Sequence, residues 1–337
     1  MKQLHIAIVG YGYWGPNLVR NFSQIRQAHV STVCDLRSQL LKEIKRLYPD
    51  IRTTNAVKEI FSDPSIDAVV LATPISTHFP LAYQSLTHGK HTWIEKPLTI
   101  RRADAIRLVS LAKRRKVCLM VDHTFVYTPA VQKIREAIEK KELGDIVYID
   151  SVRTNLGLIQ NDSNVIYDLA AHDFAIFDYL FGVLPTHVSA TGTNHLRLNQ
   201  ESVAHVVARY PNNIYVHCHV SWLSPVKIRT MQIIGSKKML SYDDMEPSEK
   251  VKIYDKGISI TTDPHDLYQR RIGYRMGSMV APHIPMREGL FGAAQEFVSA
   301  IISKKTPLTD GASGTRVVTI LEAATESLRN GGKLIKL

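Results

Sequence analysis

The sequence predicts two domains: a doubly wound α/β domain with a parallel sheet over residues 1–123, and an α+β domain with a large open, mainly antiparallel sheet over 124–337. Three observations lead there. Residues 1 to about 123 alternate short Val- and Ile-rich runs with stretches whose apolar residues recur at helical spacing. From about residue 145 the apolar runs follow one another with only short polar breaks. At 337 residues the chain is also too long for one small core.

In the first domain the strand-like runs are "HIAIVG", "HVSTVCD", "DAVVLAT", "HTWIEKP" and "VCLMVDH". Between them "NLVRNFSQI", "SQLLKEIKRLY", "HFPLAYQSLTHG" and "ADAIRLVSLAKRRK" carry the helical period. "TPAVQKIREAIEKKELG" then predicts a helix that starts near Pro129 and stops near Gly144. In the second domain "IVYIDSVRTN", "THVSATGT", "SVAHVVARY", "IYVHCHVSW", "IRTMQIIGS" and "KMLSYDD" predict successive strands, with "NNIY" and "IGSKKM" as turns. One helix, about Val165 to Phe181, interrupts them, and helices from about Arg287 and Ala312 close the chain, the last able to pack back on the first domain. Residues 258–287, polar with clustered arginines, predict a long loop.

Composition removes several classes of function. No run approaches the roughly 20 apolar residues that span a bilayer. Glycines interrupt "MKQLHIAIVGYGYWG" and no small-residue cleavage site follows, so this segment predicts a first core strand rather than a signal peptide. Cys34, Cys118 and Cys218 lie far apart without a C-x-x-C pair, which excludes a zinc knuckle or disulfide framework and points to a reducing cytoplasm. The formal charge of +11 favours anionic partners, a dinucleotide or a phosphorylated small molecule, with a solvated basic surface as the alternative. No nucleic-acid-binding motif accompanies that charge.

"VGYGYWGPN" sets Gly10, Gly12 and Gly15 in the G-x-G-x-x-G spacing, after a strand and at the opening of a helix. Gly10 allows the tight turn, Gly12 lets the backbone approach a pyrophosphate, and Gly15 allows close helix–strand packing. The intervening Tyr11, Tyr13 and Trp14 are candidate cofactor contacts. The helix N-terminus offers free N–H groups to the anion. Asp35, ending the second strand in "VCDLR", is placed to accept from adenosine ribose hydroxyls, which favours NAD over NADP; Arg37 next to it keeps NADP open. Thr73, Pro74 and His78 in "ATPISTHF" end the fourth strand and are candidates for the nicotinamide side, with helix capping the alternative for His78.

"WIEKPLTI" stands out because a strand ends on an acid, a base and a proline. Together with the glycine fingerprint, "TPISTH", "VDHTFVYTPA", a helical D-x-x-x-H, "LGDIVYID" and "PLTDGASGTRVVTILEAA", it resembles the glucose–fructose oxidoreductase / inositol dehydrogenase family (Gfo/Idh/MocA) over essentially the whole chain. That resemblance implies NAD(P)-dependent oxidation or reduction of sugars and related polyols. It also implies an open second-domain sheet through which subunits pair as a homodimer or homotetramer. It places the active-site lysine on Lys96 and the helix acid and histidine on Asp168 and His172. "NLGLIQNDSNVIYDLAAHD" resembles the subgroup of nucleotide-sugar pathways, where a UDP-hexose is oxidised at C3; this chain reads "AAHD" at 170–173 where that group commonly has "APHD".

The residues themselves support the same chemistry. Asp168 and His172 stand four apart on one helix face, where a helix salt bridge or a divalent-metal site is the alternative to a catalytic pair. Oxidising a secondary alcohol sends a hydride to the nicotinamide and a proton to a base, which a histidine suits. A lysine ammonium stabilises the developing alkoxide. This assigns His172 as base, Lys96 as electrostatic and hydrogen-bonding partner, and Asp168 as acceptor for a substrate hydroxyl; Lys96 as base stays open. Glu95 is a further cofactor candidate, at the nicotinamide ribose or against Lys96, and Pro97 is expected to take the cis form open to X-Pro bonds. Substrate contacts are expected from Tyr127, with core packing its alternative, from Arg153 and Asn155, and from Tyr268, Arg270, Arg271 and Arg275, which grip a diphosphate or else lie in a disordered solvated loop. Trp222 is expected to pack on the sheet face or at an oligomer contact. The alternatives are a dehydrogenase of free sugars or inositol, a ketosugar reductase, and a non-catalytic dinucleotide-binding regulator.

Overall fold

A computed structural model of the chain describes residues 3–157, 159, 162–195, 200–260 and 272–337. The chain forms two compact units, one built from 1–128, 161–163 and 287–322, the other from 129–160, 164–286 and 323–337.

The first unit contains six strands: β1 (Leu4–Val9), β2 (Ala28–Cys34), β3 (Arg52–Thr54), β4 (Ala68–Leu71), β5 (His91–Glu95) and β6 (Leu119–Asp122). They pair in parallel in the order β3-β2-β1-β4-β5-β6. Strands β4 and β6 are buried at every position, as expected for a parallel sheet covered on both faces, and this is why they read as unbroken apolar runs. Helices α1 (Gly15–Ser23), α2 (Ser38–Leu47), α3 (Val57–Ser62), α4 (Ile75–Thr87) and α5 (Arg102–Arg115) connect them. The strand order reverses between β1 and β4, the switch point outside which doubly wound sheets bind dinucleotides. A further helix, Gly289–Ser303, closes the core by setting Phe297 edge-on against Phe22 and Trp93.

The second unit contains a nine-stranded sheet: β7 (Ile146–Leu156), β8 (His187–Thr193), β9 (Val203–Arg209), β10 (Tyr215–Ser221), β11 (Leu223–Gly235), β12 (Met239–Asp243), β13 (Val251–Ile260), β14 (Ile272–Val280) and β15 (Ile335–Lys336). Its order is β14-β13-β12-β11-β7-β10-β9-β8-β15. The β7–β10 pair is parallel and the other pairs antiparallel, so the sheet is mixed. Alternate residues, Ala204, Val206 and Ala208 on β9 and Val216, Cys218 and Val220 on β10, are buried, while His205, His217 and His219 on the opposite face are not.

Two expectations change. Residues 258–287 are not simply a loop, because β14 pairs with β13 along the sheet edge. An edge strand whose side chains from Tyr274 to Val280 all face solvent needs no apolar alternation, so the sequence carried no strand signal. The helix expected from Val165 to Phe181 opens as a π-helical turn, Ile166–Ala170, before the α-helix Ala171–Phe181 ends at Gly182 in the left-handed region. Tyr268, Arg270 and Arg271 lie outside the described residues.

Candidate active site

At the carboxyl edge of the six-stranded sheet, Gly10 takes φ +96°, and a Cβ there would stand 2.3 Å from the Ala72 carbonyl oxygen. A Cβ on Gly15 would stand 2.8 Å from the Gly10 carbonyl oxygen, so helix α1 can approach the strand end only with glycine there. At Gly12 the nearest atom to such a Cβ is Arg37 Nη2 at 3.5 Å, leaving the backbone accessible. Trp14 precedes the helix and Tyr13 stands against it edge-on, both with exposed rings, while Tyr11 is buried.

Asp35 sits where β2 ends. Its carboxylate accepts the Tyr11 N–H at 2.8 Å and three bonds from Arg37, from the backbone N–H, Nε and Nη2, each at 2.9 Å. Burial pushes the carboxyl up, but the Arg37 and Tyr11 hydrogen bonds outweigh it and hold it at about 2. Arg37 is therefore tied to the acid that it was expected to offset. A glycine turn with an open backbone and an ionised acid at the end of the second strand fit a dinucleotide.

Thr73 and Pro74 follow β4, and the Thr77 hydroxyl donates to Thr73 Oγ1 at 2.7 Å. His78 is fully buried, with Nδ1 2.8 Å from the Pro97 carbonyl and Nε2 2.9 Å from the Thr73 carbonyl. Burial lowers its pKa. The ring thus braces the end of β4 against the Lys96–Pro97 corner, whose peptide bond is cis.

Glu95 ends β5 opposite Asp122 at the end of β6, and both are buried. The two side chains share a hydrogen bond; burial first, then the charge of Asp122, raises Glu95 well above the usual carboxylate range. Thr124 donates to Asp122 Oδ1 at 2.7 Å. Lys96 acts electrostatically on Glu95, Asp122 and His123, the last held down to about 3 by burial and by Lys96. Sequence reasoning missed Asp122 and His123; their signal is that "VDHTF" ends a strand next to "WIEK". Tyr127 is buried in the same unit, its oxygen 3.0 Å from Thr309 Oγ1 and accepting the Thr309 N–H at 3.3 Å.

In the second unit Asp168 lies within the π-helical turn and His172 on the α-helix that continues it, both half-buried. Such turns insert an extra residue into a helix and are frequent at functional sites. The buried Trp222 indole N–H donates to Asp168 Oδ2 at 2.8 Å. Trp222 is thus packing and partner at once. Arg153 is buried, and its Nε and Nη2 reach the two Asp173 oxygens at 2.8 and 3.1 Å, with the Ser151 hydroxyl donating to Asp173 at 3.0 Å. This pair fastens the helix to β7 one residue from His172. Asn155, two residues along β7 and half-buried, shares the face of Arg153. On β14 the Arg275 guanidinium pairs with Asp255 and donates to the Lys237 carbonyl. Among the described residues no group of three His, Cys, Asp or Glu could hold a metal ion.

Residues 4–123 match the model of an oxidoreductase family with an NAD-binding Rossmann fold, and 131–241 match the GFO/IDH/MocA C-terminal domain. The chain is 24% identical over 324 residues to the UDP-N-acetylglucosamine 3-dehydrogenase of Acidithiobacillus ferrooxidans, covering 94% of this chain and 95% of that protein. The solved structure of that enzyme superposes with a TM-score of 0.83 at 24% identity, over 98% of this chain and 99% of that one. The scyllo-inositol 2-dehydrogenase (NAD(+)) of Bacillus subtilis is 24% identical over 342 residues, 98% of this chain and 95% of that protein. With the myo-inositol 2-dehydrogenase of Thermotoga maritima the identity is 26% over 195 residues, but the match spans 56% of this chain and only 58% of that relative's length. With both domain models matched along more than half its length, the chain belongs to the Gfo/Idh/MocA family of NAD-binding oxidoreductases.

Proposed function

We propose that the protein is an NAD-dependent dehydrogenase that moves a hydride between a secondary hydroxyl of a sugar and the nicotinamide, acting on C3 of a UDP-N-acetylhexosamine-type nucleotide sugar. The observation that carries the substrate class is the near full-length likeness to the UDP-N-acetylglucosamine 3-dehydrogenase. NAD supplies the hydride acceptor. Gly10, Gly12 and Gly15 admit its pyrophosphate to the backbone, Asp35 accepts from the adenosine ribose, and Thr73, Pro74 and Glu95 line the nicotinamide side. His172 takes the hydroxyl proton, Lys96 stabilises the alkoxide, and Asp168, its carboxylate aimed by Trp222, accepts from a substrate hydroxyl. The open sheet of the second unit is the surface through which copies of the chain pair, in this reading.

A second reading, a dehydrogenase of a free cyclitol, draws support from the equal identity to the scyllo-inositol enzyme. Incubation with NAD and a panel of UDP-hexoses, free hexoses and inositols, followed at the absorbance of reduced nicotinamide, separates the two. The nucleotide-sugar reading expects reduction with a UDP-N-acetylhexosamine. Because 3-keto formation can be unfavourable at equilibrium, a coupled aminotransferase draws off the product. Reduction by inositol alone overturns the reading.

A further inference from the structure

We propose that Asp122 is a positioning residue of the Glu95–Lys96–Pro97 corner: its carboxylate holds the proton on Glu95, so that the corner meets its ligand with a neutral carboxyl group beside Lys96. The geometry is that of two carboxyl groups in register at the ends of neighbouring parallel strands, Glu95 7% and Asp122 2% exposed. Two carboxylates so close cannot both ionise away from water, and one proton between them replaces repulsion with a hydrogen bond. Thr124 decides which oxygen keeps the charge. Its hydroxyl donates to Asp122 Oδ1 at 2.7 Å, which favours the ionised form on Asp122 and leaves the proton on Glu95.

The groups acting on Glu95 are Asp122 on β6 and Lys96 beside it, with His123 next in chain. His123 is 1% exposed, and neither ring nitrogen has a protein hydrogen-bond partner. Burial and Lys96 keep it neutral, so it supplies no positive charge. The corner then holds one anion, centred on Asp122, and the Lys96 cation. Glu95 Oε1 is buried with no protein partner, so the bond to Asp122 runs through the other oxygen. Without Asp122 the Glu95 proton loses its partner, and the carboxyl ionises at lower pH.

This rests on the dehydrogenase reading only for its effect on turnover, so the test has an arm that needs no substrate. Full-length protein carrying ¹³C-labelled glutamate is titrated by infrared spectroscopy as wild type, Glu95→Gln and Asp122→Asn. A protonated-carboxyl C=O band persists through neutral pH in the wild type and is absent in Glu95→Gln. In Asp122→Asn its midpoint falls by about one pH unit or more, roughly tenfold in proton affinity. A wild type without that band, or a midpoint that Asp122→Asn leaves unmoved or raises, overturns the proposal. A wild type without the band overturns the proposal even where Asp122→Asn does not fold. In turnover, the kcat/KM deficit of Asp122→Asn grows with pH as Glu95 ionises; a deficit equal at every pH marks a merely structural role and overturns the positioning claim.

Discussion

Replacing Trp222 with Phe removes one hydrogen bond and part of a buried ring system. The side chain is 2% exposed, so the smaller Phe ring leaves a cavity beside the packing it keeps, and the indole N–H that reaches Asp168 at 2.8 Å is lost. A hydrogen bond to a charged group contributes roughly 1.5–3 kcal/mol. Asp168 is only half-buried, so water recovers part of this, leaving about 1 kcal/mol from the hydrogen bond in urea unfolding, to which the cavity adds. If Asp168 orients a substrate hydroxyl, loss of the Trp222 hydrogen bond also costs about 1.4 kcal/mol in the transition state, a tenfold fall in kcat/KM. The assay is steady-state NADH formation for Trp222→Phe, Asp168→Asn and the double variant. The two substitutions should couple, so that Trp222→Phe costs far less once Asp168 is neutral. Additive effects, or a Trp222→Phe enzyme within about twofold of wild type, would refute the claim that Trp222 aims Asp168.

Two further outcomes are expected. Asp173→Ala leaves the buried Arg153 guanidinium without its carboxylate and should destabilise the fold by about 3–5 kcal/mol in chemical denaturation, with no comparable loss from exposed pairs such as Arg20–Glu288. The Asp35 carboxyl, at about 2 against an ordinary 3.8, adds stability that is complete above the ordinary value and lost as pH falls toward 2. The shift corresponds to roughly 2 kcal/mol, cut to about 1 by the exposure of Arg37. Asp35→Asn should flatten that acid limb and weaken NAD binding by about tenfold in calorimetry.

The first unit was legible because its parallel strands are buried on both faces and its turn must be glycine. Gly10, Gly12, Gly15, Asp35 and the strand-end Lys96 all fall at one sheet edge, as their motifs required. The short β3 and α3 escaped, since three half-exposed residues carry no period. In the second unit Arg153 reads from sequence as a polar residue in a strand, and nothing local says that Asp173, twenty residues on, takes its charge. Tyr127 is similar, its hydroxyl satisfied by Thr309 from far along the chain. The π-helical turn under Asp168 keeps the four-residue spacing to His172 and leaves no mark on the apolar pattern. Asp122 was invisible as a partner of Glu95 because the pairing depends on the register of β5 with β6.

Single-turnover hydride transfer in Lys96→Ala tests the proposed chemistry most directly. With NAD and a UDP-N-acetylhexosamine, and with NAD affinity checked separately by calorimetry, loss of the ammonium should slow NADH formation by about a hundredfold or more while the cofactor still binds. A rate within about tenfold of wild type, roughly 1.4 kcal/mol, would contradict the central place given to Lys96.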